Sequence, residues 1–116
     1  MTGAWLRSLA LSLALTLALE LLFALCAKKR GRALGVTALV NCLTNPPVVL
    51  TVLLWRHYGL PLLPAVTVLL EALAIVTEAA IYRGWREFPH PWRFSLCANL
   101  FSYGVGELLQ ALVRIL

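Results

Sequence analysis

Four long apolar stretches dominate this chain, at roughly 4–27, 33–55, 60–82 and 94–116. A helix needs about 20 mostly apolar residues to cross the ~30 Å hydrocarbon core of a bilayer. Every stretch meets that length, and all are too long and too rich in Leu and Ala for barrel strands. With 61% apolar and 13% charged residues, the chain lacks the polar surface of an ordinary soluble domain. It is also too apolar to be disordered. Its 116 residues leave no room for a soluble catalytic domain beside the spans. The expected fold is all-α, an integral membrane bundle of four transmembrane helices that forms a single domain over 1–116. The two halves each contain a pair of spans, and no internal repeat is visible between them.

Orientation follows from the basic residues. Lys28, Lys29, Arg30 and Arg32 lie between spans one and two, and Arg83, Arg86 and Arg93 between spans three and four. The opposite face carries only Arg7, Arg56 and Arg114. Positive charge concentrates on the cytoplasmic side, so both termini are expected outside. Trp5 and Trp55 then fall at the outer interface, and Trp85 and Trp92 at the inner one, where amphipathic rings are most stable. The first span has its basic cluster after the apolar run, the reverse of a cleavable signal, and reads as an uncleaved span. The net charge of +5 is explained by topology and anionic headgroups. The expected partner is the lipid bilayer, and no nucleic acid is implied. The simple topology suits a bacterial or archaeal plasma (inner) membrane.

Of the five acidic residues, Glu20, Glu71, Glu78 and Glu107 lie inside spans and only Glu87 in a loop. A charge at membrane depth costs a few kcal/mol even on lenient scales, which restricts such residues to bundle interiors and cavities. Helical spacing gathers the polar residues into one stripe per span. These are Ser8, Ser12, Thr16 and Glu20 on the first, and Thr37, Asn41, Thr44 and Asn45 on the second. Thr67, Glu71, Glu78 and Tyr82 form the third stripe, and Asn99, Ser102, Tyr103, Gly106 and Gln110 the fourth. Glu107 departs from the fourth stripe by about 80° and is expected to face another subunit. At 1.5 Å per residue, Glu20, Asn41 and Ser102 lie about 10–12 Å from the cytoplasmic ends, and Glu71, Asn45 and Glu107 about 16–20 Å. The candidate cation, proton or substrate site is therefore Glu20, Asn41, Asn45, Glu71, Glu78, Asn99, Ser102 and Glu107. No Lys, Arg or His is placed to neutralise these carboxyls. They either keep their protons, acting as interhelical hydrogen-bond glue, or bind a cation together with amide oxygens.

Pro46 and Pro47 remove two backbone donors inside span two, so that helix is expected to kink or break. A broken helix makes a binding site in many transporters. A packing kink repaired by Thr44 or Asn45 is the plainer alternative. Cys26, Cys42 and Cys97 fall in the inner half without a paired-cysteine motif and read as small packing residues. His57 and His90 have no partner at zinc-ligand spacing. The basic, aromatic loop Arg83–Arg93 is expected to lie on anionic headgroups or dock a partner. There is no phosphate loop and no nucleophile motif. No cofactor or metal is specified by the sequence.

Size, four spans and a glutamate in the first span are features shared with small multidrug-resistance exporters. That family centres on one such carboxylate, whereas this chain has four, and its Asn41–Pro47 and Asn99–Gly106 segments depart from the family's motifs. The leading expectation is a proton- or cation-coupled transporter or ion-binding protein. Four spans are few for a path, so a homo-oligomer or a larger membrane complex is expected. The alternative is a non-catalytic subunit or assembly factor of such a complex. A metal-dependent intramembrane enzyme is permitted by the carboxylate count and disfavoured by the lack of His within the spans.

Overall fold

The structure, a computed structural model, describes residues 2–115. It is all-helical: α1 (Thr2–Cys26), α2 (Arg32–His57), α3 (Leu63–Tyr82) and α4 (Pro91–Ile115). All four are long and apolar enough to cross a membrane. Short connections make sequential helices antiparallel. The α1–α2 and α3–α4 loops therefore share one end of the bundle, and the α2–α3 loop shares the other with the termini. Each helix packs on two neighbours in a closed ring, α1 on α2 and α4, and α3 on α2 and α4. The diagonal pairs do not pack on each other.

Helix boundaries follow from local backbone chemistry. At the end of α1 the Lys29 amide donates to Ala24 O and the Lys28 amide to Leu25 O, with Lys28 left-handed at φ 66. At the end of α2 the Leu60 amide donates to Trp55 O and the Gly59 amide to Arg56 O, with Gly59 at φ 60. Both are Schellman closures, in which a left-handed residue lets two amides cap the last carbonyls. The second closure explains why α3 begins at Leu63 and not at residue 60: Leu60 to Leu62 are apolar but occupied by the turn, and Leu62 is itself left-handed. Pro64 then sits in the first turn of α3, where its missing donor costs nothing. Pro91 opens α4 three residues earlier than hydropathy alone places it.

Pro46 and Pro47 lie inside α2, which runs as one unbroken helix from Arg32 to His57. Neither Thr44 nor Asn45 repairs the freed carbonyls of Cys42 and Leu43. The Thr44 hydroxyl bonds to Val40 O and Glu78, and the Asn45 amide donates to Thr16.

What is buried and what is exposed is inverted relative to a soluble bundle. The fully buried large side chains are Tyr82, Glu20, Glu78, Asn41, Thr37 and Ser95. Leu39, Leu43, Val68 and Leu100 point outward. Water would reverse this order, whereas lipid tails solvate leucine and leave polar groups to pair inside. Cys26, Cys42 and Cys97 are free and exposed on that outer surface, not packed inside as expected.

The two ends of the bundle also differ. The end carrying the α1–α2 and α3–α4 loops holds a dry core of Ala24, Ala33, Val36, Val40, Tyr82, Phe88, Phe94 and Ala98. Tyr82 stacks on Phe88 at 4.4 Å, and Phe94 meets Tyr82 at 5.1 Å and Phe23 at 5.7 Å. Alanines on α1, α2 and α4 let the backbones approach around these rings. At the opposite end, Trp5 meets His57 edge-on and the Trp55 indole donates to Pro61 O at 2.9 Å.

Candidate functional site

A cavity of about 800 Å³ occupies the half of the bundle nearer the termini. It extends from Ser8, Arg56, Leu63 and Gln110 down to Glu20, Glu78 and Asn99. The aromatic core lies beyond its floor. All eight candidate residues line it. Glu107, expected to face another subunit, is exposed but contributes to this wall. Glu71 is half-buried in it. Ser8, Ser12 and Thr16 continue the α1 stripe up the wall.

The floor is made by two carboxyl groups, each 1% exposed. Glu20 comes from α1 and Glu78 from α3, on opposite corners of the ring. Glu20 Oε1 accepts from Asn41 Nδ2 at 3.1 Å, and its Oε2 pairs with the Ser102 hydroxyl at 3.2 Å. Glu78 Oε1 accepts from Asn99 Nδ2 at 3.0 Å, and its Oε2 pairs with the Thr44 hydroxyl at 2.8 Å. Both amides are oriented by a second donor bond one turn back along their own helices, Asn41 to Thr37 O and Asn99 to Ser95 O, each at 2.8 Å. An amide nitrogen has two hydrogens, and both are used at each position. The Ser95 hydroxyl crosses to Ile75 O at 2.7 Å and ties α4 to α3. Higher in the wall, Asn45 Nδ2 donates to Thr16 at 3.2 Å, while its Oδ1 is buried with no partner.

These contacts correct the absence of a repeat. Glu20 and Glu78, Thr37 and Ser95, Asn41 and Asn99, and Thr44 and Ser102 are each separated by 58 positions, half of the 116-residue chain. The bonds repeat with them. Each glutamate takes an amide from its own half and a hydroxyl from the other. The two helical hairpins thus contribute matching sets of residues and bonds to the floor. Few other positions match at this offset, and higher in the wall Asn45, Glu71 and Glu107 have no counterpart. Thr37 and Thr44, on the second stripe but outside the candidate set, belong to the polar network, and so does Ser95, which lies on no stripe and which the 58-residue spacing from Thr37 would find.

The loop end is latched. Arg32 Nε donates to Glu87 Oε2 at 2.7 Å, and Lys29 Nζ donates to Glu87 O. Lys29 also lies over the rings of Phe88 and Phe94, and Arg32 over Trp85. The Arg32 guanidinium bonded to Glu87 holds that carboxyl below the usual carboxylate range. This is the one ion pair among the described residues. The loop therefore docks on its own neighbour across the bundle end. Glu20 and Glu78 keep neutral partners only.

No group of three or more His, Cys, Asp or Glu residues is arranged to hold a metal ion among the described residues. No known protein family, curated protein or solved structure matches this chain.

Proposed function

We propose that this chain is a small multi-pass membrane protein that binds protons or cations through a one-sided cavity, as a proton- or cation-coupled transporter. One observation carries the reading: the cavity ends on two buried carboxyls that have no basic partner. A buried carboxylate without a countercharge is costly. Such a pair is stable when it holds protons or faces a cation. The aromatic core beyond the floor closes the loop end, so the pair is reached only from the cavity side. Glu71 and Glu107 add acidic groups along the route in. The stripes close on one another within one chain, which favours a self-contained site over one completed by partner helices. A second copy remains the expected partner for a complete translocation path, and a kink at Asn45–Pro46–Pro47 the expected hinge.

In this reading both termini and the cavity mouth face outward, and the latched loops lie in the cytoplasm of a bacterial or archaeal cell. Labelling His57→Cys from outside intact cells, with His90→Cys protected, checks the orientation. The function is tested by reconstituting the protein into vesicles that enclose a pH-sensitive dye. Sodium, potassium, magnesium and tetraethylammonium chlorides are then added one at a time outside. At least one should drive proton movement, and Glu71→Gln should lower it to the level of empty vesicles while the protein stays folded. Proton movement that survives Glu71→Gln would sink the assignment.

A further inference from the structure

The hydroxyl groups on the cavity floor have more acceptors than hydrogens. Thr44 Oγ1 lies 2.8 Å from Glu78 Oε2 and 3.1 Å from Val40 O. Ser102 Oγ lies 3.2 Å from Glu20 Oε2 and 3.2 Å from Asn99 O. A hydroxyl carries one hydrogen and can also accept. Only one of the two contacts can use that hydrogen at any moment. If the hydroxyl donates to the backbone carbonyl, the glutamate oxygen must supply the hydrogen between them. If the glutamate is ionised, the hydroxyl must turn and donate to it. Both arrangements use the same heavy-atom positions. The other oxygen of each glutamate faces an amide that can only donate, so the exchangeable proton belongs on Oε2 in both halves.

We propose that Glu20–Asn41–Ser102 and Glu78–Asn99–Thr44 are two equivalent proton-exchange units, in each of which a single hydroxyl rotation accommodates gain or loss of one proton. On release, the Oε2–H bond breaks and the proton passes to water in the cavity. The carboxylate keeps the electron pair, and the Ser102 or Thr44 hydrogen swings from the backbone carbonyl to Oε2. Uptake reverses both movements. Ser102 and Thr44 are thus positioning residues that act through the glutamates. Because each hydroxyl comes from the other half, proton exchange in one hairpin is registered by the helix of its partner. Two protons per chain is the capacity this arrangement sets.

Other groups face the pair from α3 and α4. Glu71 lies above it on α3 and Tyr82 below it at the end of α3, with a buried hydroxyl that has no partner. Tyr103 and Glu107 lie higher in the wall on α4. Helix α1 brings no other titratable group to the cavity, and α2 brings only Arg56 at its mouth. None of these takes the place of Ser102 or Thr44 at Oε2.

The inference rests on the proposed function only in taking the two glutamates as proton sites, and its test reads protons, not transport. Infrared difference spectra of the full protein in lipid, acid minus alkaline, display the carbonyl stretch of each carboxyl that exchanges a proton. Glu20→Gln and Glu78→Gln should each remove one band. Ser102→Ala should move the Glu20 band and leave that of Glu78 in place, and Thr44→Val should do the reverse. Ser102→Thr and Thr44→Ser, which keep the hydroxyl, should leave both unmoved. Should Ser102→Ala fail to fold, Ser102→Cys keeps the size, weakens the donor and should move the same band. Hydroxyl variants that move neither band, or the band of the wrong glutamate, overturn the switch. Glutamine variants that remove no band overturn the proton sites altogether. Intact bands and shifts beside transport that survives Glu71→Gln would instead remove the transporter reading and leave the switch standing.

Discussion

Replacing Asn41 by Leu isolates one bond of the site. Asn41 is 1% exposed, and Leu has the same branched heavy-atom skeleton, so no cavity follows. Two donor bonds disappear, at 3.1 Å to Glu20 and 2.8 Å to Thr37 O. The second matters little, because the Thr37 carbonyl lies in a helix and keeps its ladder bond. The first leaves Glu20 Oε1 buried without a donor. An orphaned buried acceptor costs about 1–3 kcal/mol in soluble proteins. Interhelical bonds in membranes average about 0.6 kcal/mol with a maximum near 1.7, because the unfolded state in lipid also finds partners. The expected loss is about 1–2 kcal/mol, roughly a 5- to 30-fold change in the unfolding equilibrium. Equilibrium unfolding by dodecyl sulfate in mixed micelles measures it. A double-mutant cycle with Glu20→Leu should recover most of the loss as coupling, and Asn99→Leu with Glu78→Leu should give a matching value. The cross pair Asn41 and Glu78 should add independently. Coupling within about 0.3–0.5 kcal/mol of zero in both own-half pairs is the additivity expected of independent sites, and it would refute the bond network as a source of stability.

Two further outcomes follow from the loop end. The Glu87 carboxyl is held below its usual range by Arg32, so its contribution is present above the unfolded carboxylate range and is lost as pH falls through the lowered folded value. Trp85 fluorescence should report release of the overlying Arg32 in that acid window, earlier in high salt, and Glu87→Gln should abolish the transition; an unchanged acid profile in Glu87→Gln would count against the latch. Phe94→Ala removes a ring that touches Phe23, Tyr82 and Phe88 and should cost about 3 kcal/mol while raising passive proton leak through reconstituted vesicles; a variant with neither effect would show that these rings do not seal the bundle end.

Much of the site is legible in the sequence. Spacing at 3.6 residues per turn placed Ser12, Thr16 and Glu20 on one face of α1, and that face lines the cavity. The same rule predicted the inward faces of the other three helices. Glu107, offset about 80° from the fourth stripe, is exposed and still reaches the wall of the wide cavity. The repeat stays hidden in the sequence because only the floor positions are tied by matching bonds, and other positions at the same offset differ. Hydropathy extended the third span into Leu60 and Leu62, which are apolar but held in a turn by left-handed backbone.

Sequence by itself determined that four apolar helices form and which side of each turns inward, because the cost of a polar group in lipid acts on each helix separately. Only the tertiary structure decided which carboxyl meets which hydroxyl. Thr44 bonds across to Glu78 and Ser102 across to Glu20, each reaching from one hairpin into the other. The order of helices around the ring sets those partners. So does the difference between a bundle end sealed by Phe88, Tyr82 and Phe94 and one left open above two glutamates. Packing of large rings against alanines at one end holds the four helices together there. At the other end the described side chains leave the cavity open above the two glutamates.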